Sequence, residues 1–304
     1  MLAFRMKRPL QHVHLDKSLS KKVDQDMWGP PGLDVLQKLD GMRERMRAIE
    51  GYTDTGAAEC REVFGRYHGL VHQIEKILHG VALRPEGVYF KWSDSFSSQE
   101  GQADEWGFER ACTLFNLAGC ISYLATHEDR GTEDGIKSAC GLFQQAAGCL
   151  AACREIVTVA SWKATPDLSQ DTLSTIEMLM LAQAQKCFFE KAERDGMSTA
   201  ILAKLAAECA GMYVEVSLLV EEAKRRGRAI AAMPPEWLDV VEWNKLHFDG
   251  LQHYHLAAVH QAAHEYGAAL SRLTYATDQC ARAVNACRGA TPCASCSPDS
   301  PIAR

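Results

Sequence analysis

The chain has 304 residues, 47% of them hydrophobic and 24% charged, and a formal net charge of −6, enough for one large domain or two small ones around a substantial core. The acidic balance argues against a general nucleic-acid or anionic-membrane binder, which would need a basic surface. No stretch approaches the roughly 20 apolar residues of a membrane span, and residues 1–9, with Arg5, Lys7 and Arg8, lack the apolar segment of a secretory signal, so the expected compartment is the cytoplasm.

Along residues 2–7, Leu2, Phe4 and Met6 alternate with Ala3, Arg5 and Lys7, the period of a strand. Val88, Phe90 and Trp92 repeat that pattern over residues 88–92, and the two segments are expected to pair as a small N-terminal β-sheet. Gly29-Pro30-Pro31-Gly32 reads as a turn. After it, amphipathic helices are predicted over residues 33–49 and 54–78. The polar residues 93–102 are predicted as a loop, followed by helices over 104–126 and 132–162. A break at Thr165-Pro166 follows, and Asp167 and Gln170 have the spacing of a helix cap. The helix they open runs to about residue 194. Gly196 ends it, and Ser198 can cap the next, which runs to about residue 226. That end carries Lys224-Arg225-Arg226-Gly227-Arg228, a basic run that is solvated or complements the helix dipole, with an acidic membrane contact as the alternative. Pro234 and Pro235 sit where a helix start tolerates proline, and one long helix or two continue to about residue 286. Residues 289–304, rich in Pro, Ser, Ala and Cys, are expected to be a disordered tail.

Long helices joined by short links imply a mostly α fold, an elongated bundle or solenoid of antiparallel helical hairpins. No fixed-period repeat supports a regular array. The 12 cysteines, among them Cys112, Cys120, Cys149 and Cys153, lie within helical patterns. They read as reduced core-filling thiols, not as the disulfide framework of a short secreted chain.

Two constellations invite a metal. His253, His260 and His264 are spaced i, i+7, i+11, one face of a continuous helix, beside His247 and His255. His260-Gln261-Ala262-Ala263-His264 resembles a zinc-protease helix but has Gln261 where the general base must be Glu. Exposed helix histidines are the plainer reading. Cys293-Ala294-Ser295-Cys296 has no second ligand pair nearby. No phosphate-binding loop, dinucleotide fingerprint or nucleophile elbow is present. The sequence therefore implies no catalytic residues, no metal and no cofactor.

Residues 180–192, Met-Leu-Ala-Gln-Ala-Gln-Lys-Cys-Phe-Phe-Glu-Lys-Ala, resemble the best-preserved helix of the Bro domain (Alix-like) family. Residues 200–206, Phe90-Lys91-Trp92-Ser93-Asp94, residues 109–116 and residues 143–148 continue the resemblance in family order. It covers roughly residues 1–287. It implies a tetratricopeptide-like helical core with a small sheet near the N-terminus, and a non-catalytic adaptor recruited from the cytoplasm to endosomes. The partner implied is the C-terminal amphipathic helix of an ESCRT-III subunit, a charged multivesicular body protein. Carried over position by position, the partner groove falls on Phe188, Ile201 and Leu205, flanked by Glu133 and Lys137. Glu133 stands where the family has Asp. The resemblance also implies that residues 1–288 are a Bro-like domain incomplete at its C-terminal end, since the family continues for another arm and then into coiled-coil and Pro-rich regions.

Ile201 and Leu205 share a helix face, as do Glu133 and Lys137. An apolar strip with charged flanks suits helix-in-groove recognition, with each buried anchor contributing ~1.5–3 kcal/mol before the cost of association. Without the resemblance, an Ile/Leu pair at this spacing reads as core and a Glu/Lys pair as a solvated surface pair. Two alternatives stand beside the ESCRT-III reading: a Bro-like scaffold for another client, such as a Rho-linked pathway, and a metal-dependent enzyme using the histidine helix.

Overall fold

The computed structural model describes residues 1–19, 29–52, 56–78, 83, 87–227 and 233–288. Among them the order is α1 (Leu15–Leu19), α2 (Gly29–Ala48), α3 (Ala57–Ile77), β1 (Phe90–Ser93), β2 (Glu100–Ala103), α4 (Trp106–His127), α5 (Glu133–Thr158), a 3-10 turn (Pro166–Leu168), α6 (Gln170–Arg194), α7 (Thr199–Arg225), α8 (Pro235–Ala262) and α9 (Tyr266–Arg288). From α3 to α9, leaving aside the hairpin, each helix packs against the next, as antiparallel hairpins with short links must. The innermost is α4. Six consecutive residues, Ala111 to Asn116, are all buried, so every side of the helix is covered over that stretch, the pattern of a helix enclosed all round.

Polar groups buried with α4 tie the N-terminal half together. Glu109 is fully buried and accepts three hydrogen bonds: from Arg43 Nε at 2.9 Å, Tyr67 Oη at 2.8 Å and Trp92 Nε1 at 2.6 Å. One carboxylate thus joins α2, α3, β1 and α4. Arg43 also donates to the Gln11 carbonyl at 2.6 Å and lies over the Phe90 and Trp92 rings. The second buried pair is Lys7 with Asp167, at 2.5 Å. Asp167 also accepts from the Ser95 N–H at 2.8 Å, and its own N–H donates to Asp94 at 2.9 Å.

The helices fall where the sequence places them, and the region 235–286 is two helices rather than one. Four local expectations are corrected. Residues 2–7 are extended but form no strand. Their backbone is held by side-chain amides: Lys7 exchanges two bonds with Asn116, at 2.7 and 2.9 Å, and Leu2 exchanges two with Gln183. Pairing begins only at Pro9, which bridges Trp92. The partner of β1 is β2, within the expected loop, in antiparallel register from Phe90↔Ala103 to Ser93↔Glu100. Gly101 is required there, because a Cβ would meet the Thr165 methyl at 2.6 Å and Phe108 at 3.0 Å. Gly29-Pro30-Pro31-Gly32 opens α2 instead of forming a separate turn; the first N–H groups of a helix have no intrahelical partner, so proline there loses no bond. Finally, α6 is capped by Ser169, which accepts from Thr172 N–H at 3.2 Å, while Asp167 is taken by Lys7.

The nine cysteines whose side chains are described are all thiols, and seven are buried. The basic run at the end of α7 is exposed, with Arg226 Nε 2.5 Å from Glu222 and Arg225 paired to the same carboxylate. Arg228, the tail 289–304 and the Cys293/Cys296 pair lie outside the described residues.

Candidate functional site

Helices α6 and α7 meet in a tight turn. Gly196 adopts a left-handed φ of +67°, its N–H donates to the Glu193 carbonyl at 3.1 Å, and Met197 N–H donates to Ala192 at 3.0 Å. This double bond pattern satisfies carbonyls that the helix end leaves open and favours glycine at the reversal. The chain enters α7 at once: the Ser198 carbonyl accepts from Ile201 and Leu202 N–H at 2.9 and 3.0 Å, while its hydroxyl makes no cap bond.

Two neighbouring phenylalanines near this turn face opposite ways. Phe189 is 2% exposed and packs on the Phe248 ring at 5.4 Å. Phe188 is 48% exposed, and Ile201, in the first turn of α7, is 43% exposed. Leu205, one turn further, is half-buried against the core. Phe188 and Ile201 both lie within two turns of the hairpin tip.

The charged residues lie alongside. Glu133 and Lys137, in the first turns of α5, are paired at 2.6 Å, and Lys191 Nζ of α6 is 3.6 Å from the same Glu133 oxygen and 2.5 Å from Asp195. Lys191 is three residues beyond Phe188 and so shares its side of α6. The hydrogen bond from Lys137, then its charge and that of Lys191, holds the Glu133 carboxyl below its usual range. The hydrogen bond to Asp195 holds Lys191 above its own. Glu133 is open to water and Lys191 partly so, so this network orders the rim more than it stabilises the fold. Arg130 clamps Glu190 through two bonds of 2.8 and 2.9 Å, and Arg194 donates to the Arg130 carbonyl at 2.9 Å. The α4–α5 link is thereby fixed to α6.

Sequence reasoning missed Lys191 and Met197. Met197 is 45% exposed in the α6–α7 turn; its signal was an apolar residue directly after a helix-ending glycine. The arrangement is a partly open apolar strip with a rim of both charges, which is chemistry for receiving an amphipathic helix.

The histidine face does not form. Helix α8 ends at Ala262, and His264 lies beyond it with φ +62°, so the i, i+7, i+11 geometry is broken. The three rings turn to different partners: His253 to Arg272 at 3.1 Å, His260 to Glu265 at 2.6 Å and His264 to Tyr266 at 3.0 Å. A grouping not foreseen is His14, Asp16 and Asp40, whose ligand-type atoms lie within 4.8 Å of one another. The Asp40 carboxylate there caps α1, accepting from Leu15 and Asp16 N–H at 2.9 and 3.1 Å. Burial, with the nearby Asp16 charge adding to it against those bonds, pushes its pKa up to about 6.

Comparison with known proteins identifies the family and the fold. A BRO1-like domain model matches residues 1–297. ALG-2 interacting protein X of Dictyostelium discoideum is 32% identical over 179 residues, 59% of this chain and 22% of that protein. Apoptosis-linked gene 2-interacting protein X 1 of Caenorhabditis elegans is 33% identical over 221 residues, 70% of this chain and 24% of that protein. The chain thus spans about a quarter of the length of these curated relatives. The solved ALIX BRO1 CHMP4C complex superposes with a TM-score of 0.79 at 24% identity, over 95% of this chain and 80% of that one, a likeness of fold.

Proposed function

Because the chain belongs to the BRO1-like domain family, we propose that it is a non-catalytic adaptor that holds the C-terminal amphipathic helix of an ESCRT-III subunit against the α6–α7 strip. The observation that carries this reading is the half-open state of Phe188 and Ile201 beside a structured rim of Glu133, Lys137 and Lys191. Leu205 continues the strip from its half-buried position. The choice of client is supported by a solved complex in which a BRO1 domain of the same fold is together with CHMP4C, an ESCRT-III subunit. On this reading residues 1–288 act as one helical domain followed by a tail. On the same reading, recruitment to endosomes runs through the partner; among the described residues no helix is long and apolar enough to cross a membrane.

The magnitudes fit weak to moderate binding. Phe188 and Ile201 are about half covered already, so completing their burial yields about 0.7–1.5 kcal/mol each, half the value for a full side chain. The charged rim sets register and specificity more than affinity. The test is calorimetric titration of an ESCRT-III tail peptide into the purified chain and its Ile201→Asp variant. The first turn of α7 holds no acidic residue, and a carboxylate near a helix N-terminus is favourable, so the variant should fold as well as the parent. Loss of binding with an unchanged far-UV helical signal is expected. Equal affinity of parent and variant would refute the strip as the docking site.

A further inference from the structure

Where α1 packs on α2, the side chains of His14, Asp16 and Asp40 converge. One imidazole nitrogen and two carboxylate oxygens lie within 4.8 Å of one another. Zinc takes such ligands at about 2.0–2.2 Å, so two of them stand at most about 4.4 Å apart around one ion. A side-chain movement of a few tenths of an ångström therefore brings all three donors onto a single ion. Among the described residues no other three histidine, cysteine or carboxylate side chains come this close. His14 is exposed, and Asp16 and Asp40 are half-buried.

Asp40 stands in the middle of α2, and its two oxygens accept the Leu15 and Asp16 N–H groups at 2.9 and 3.1 Å. Each oxygen keeps a second lone pair, so the cap on α1 does not use up the carboxylate. Capping accounts for Asp40 alone; it needs neither a second carboxylate nor an imidazole beside it. Burial first, then the hydrogen bond and charge of Asp16, push the Asp40 carboxyl up against those two backbone bonds. Two acids thus meet at one spot, and among the described residues neither has a lysine or arginine ion-pair partner. A divalent cation between them turns that repulsion into attraction. The donor set selects the ion. Calcium and magnesium take oxygen ligands, whereas one imidazole with two carboxylates suits zinc and its neighbours in the first transition row. His14 faces solvent, so water can fill the fourth position. We propose that His14, Asp16 and Asp40 form a zinc-type metal site that latches α1 onto α2.

The test is calorimetric titration of zinc chloride into the full chain, in a buffer free of phosphate and chelator, with calcium and magnesium chloride for comparison. Zinc uptake at this site is expected, and calcium and magnesium should bind far more weakly. His14→Ala, at an exposed position, and Asp16→Asn, which keeps the size of the side chain, should each weaken it at least about tenfold, the least that loss of a group merely supporting a metal ligand costs. Cobalt in place of zinc should give visible bands without a thiolate-to-metal charge-transfer band, which separates this site from the cysteines. Zinc should also slow hydrogen–deuterium exchange in α1 (Leu15–Leu19) in the parent but not in His14→Ala. Absence of zinc uptake overturns the proposal, as does uptake equal in the parent and both variants. Cobalt bound only with the thiolate band, or calcium and magnesium bound as tightly as zinc, overturns it too.

Discussion

Replacing Glu109 by Gln tests the polar hub that sets the geometry of the N-terminal half. The substitution keeps the shape of the side chain but removes its charge and turns one oxygen into a donor. In the parent, Glu109 receives Arg43, Tyr67 and Trp92 at 2.9, 2.8 and 2.6 Å, and all four side chains are shielded from water. The variant therefore leaves the Arg43 guanidinium buried without its counter-charge and sets an amide N–H₂ against donors. Breaking a buried ion pair by neutralising one partner costs about 3–5 kcal/mol, and one donor left without an acceptor adds about 1–3 kcal/mol. Against a total stability of about 5–15 kcal/mol for a domain, a loss of at least about 4 kcal/mol removes a large share. Urea unfolding followed by circular dichroism should show a midpoint displaced strongly to lower urea. A loss below about 1 kcal/mol would refute the reasoning, because it would mean that water or another group replaces the carboxylate in a site closed to solvent.

Gly135→Ala should also destabilise, although alanine is the better helix former by about 1 kcal/mol. Its Cβ would lie 2.0 Å from the Asp129 backbone carbonyl oxygen, and overpacking of this kind costs about 1–3 kcal/mol; a thermal midpoint equal to or above the parent's would contradict the contact. Acid should weaken the fold through His247. Burial, then the Lys186 charge, pushes its pKa down to about 4, while the unfolded chain protonates near the ordinary ~6.5. Between pH 6.5 and 4 the unfolded state binds a proton that the folded state refuses, so stability falls as pH falls through that window, by about 2–3 kcal/mol at its end. His247→Phe should flatten the fall; an unchanged pH profile would remove His247 as the cause. Burial with the Arg110 charge pushes His68 to about 4 as well, so some acid sensitivity should remain.

The helices were legible because their apolar spacing and their breakers are local signals. What was missed depended on distant partners. Residues 2–7 have a strand's alternation, yet Asn116 and Gln183 supply from helices the bonds a neighbouring strand would have given. In β2 the inward positions are Gly101 and Ala103, small residues of low strand preference; at Gly101 nothing larger fits, because Phe108 and Thr165 press against it. Asp167 has cap spacing but sits where a buried Lys7 needs an anion, which no local pattern reports. At the site, helical spacing put Ile201 and Leu205 on one face, and the resemblance singled them out. Which of Phe188 and Phe189 points outward was not legible, since it depends on Phe248 of α8 receiving Phe189.

The central claim is that a partner's amphipathic helix lies along the α6–α7 strip. Hydrogen–deuterium exchange of the chain with and without a saturating ESCRT-III tail peptide tests it most directly. The account predicts slowed exchange in the last turns of α6, the α6–α7 turn and the start of α7, with a smaller effect at the start of α5 near Glu133 and Lys137. Protection confined to other helices, or none at peptide saturation, would contradict it.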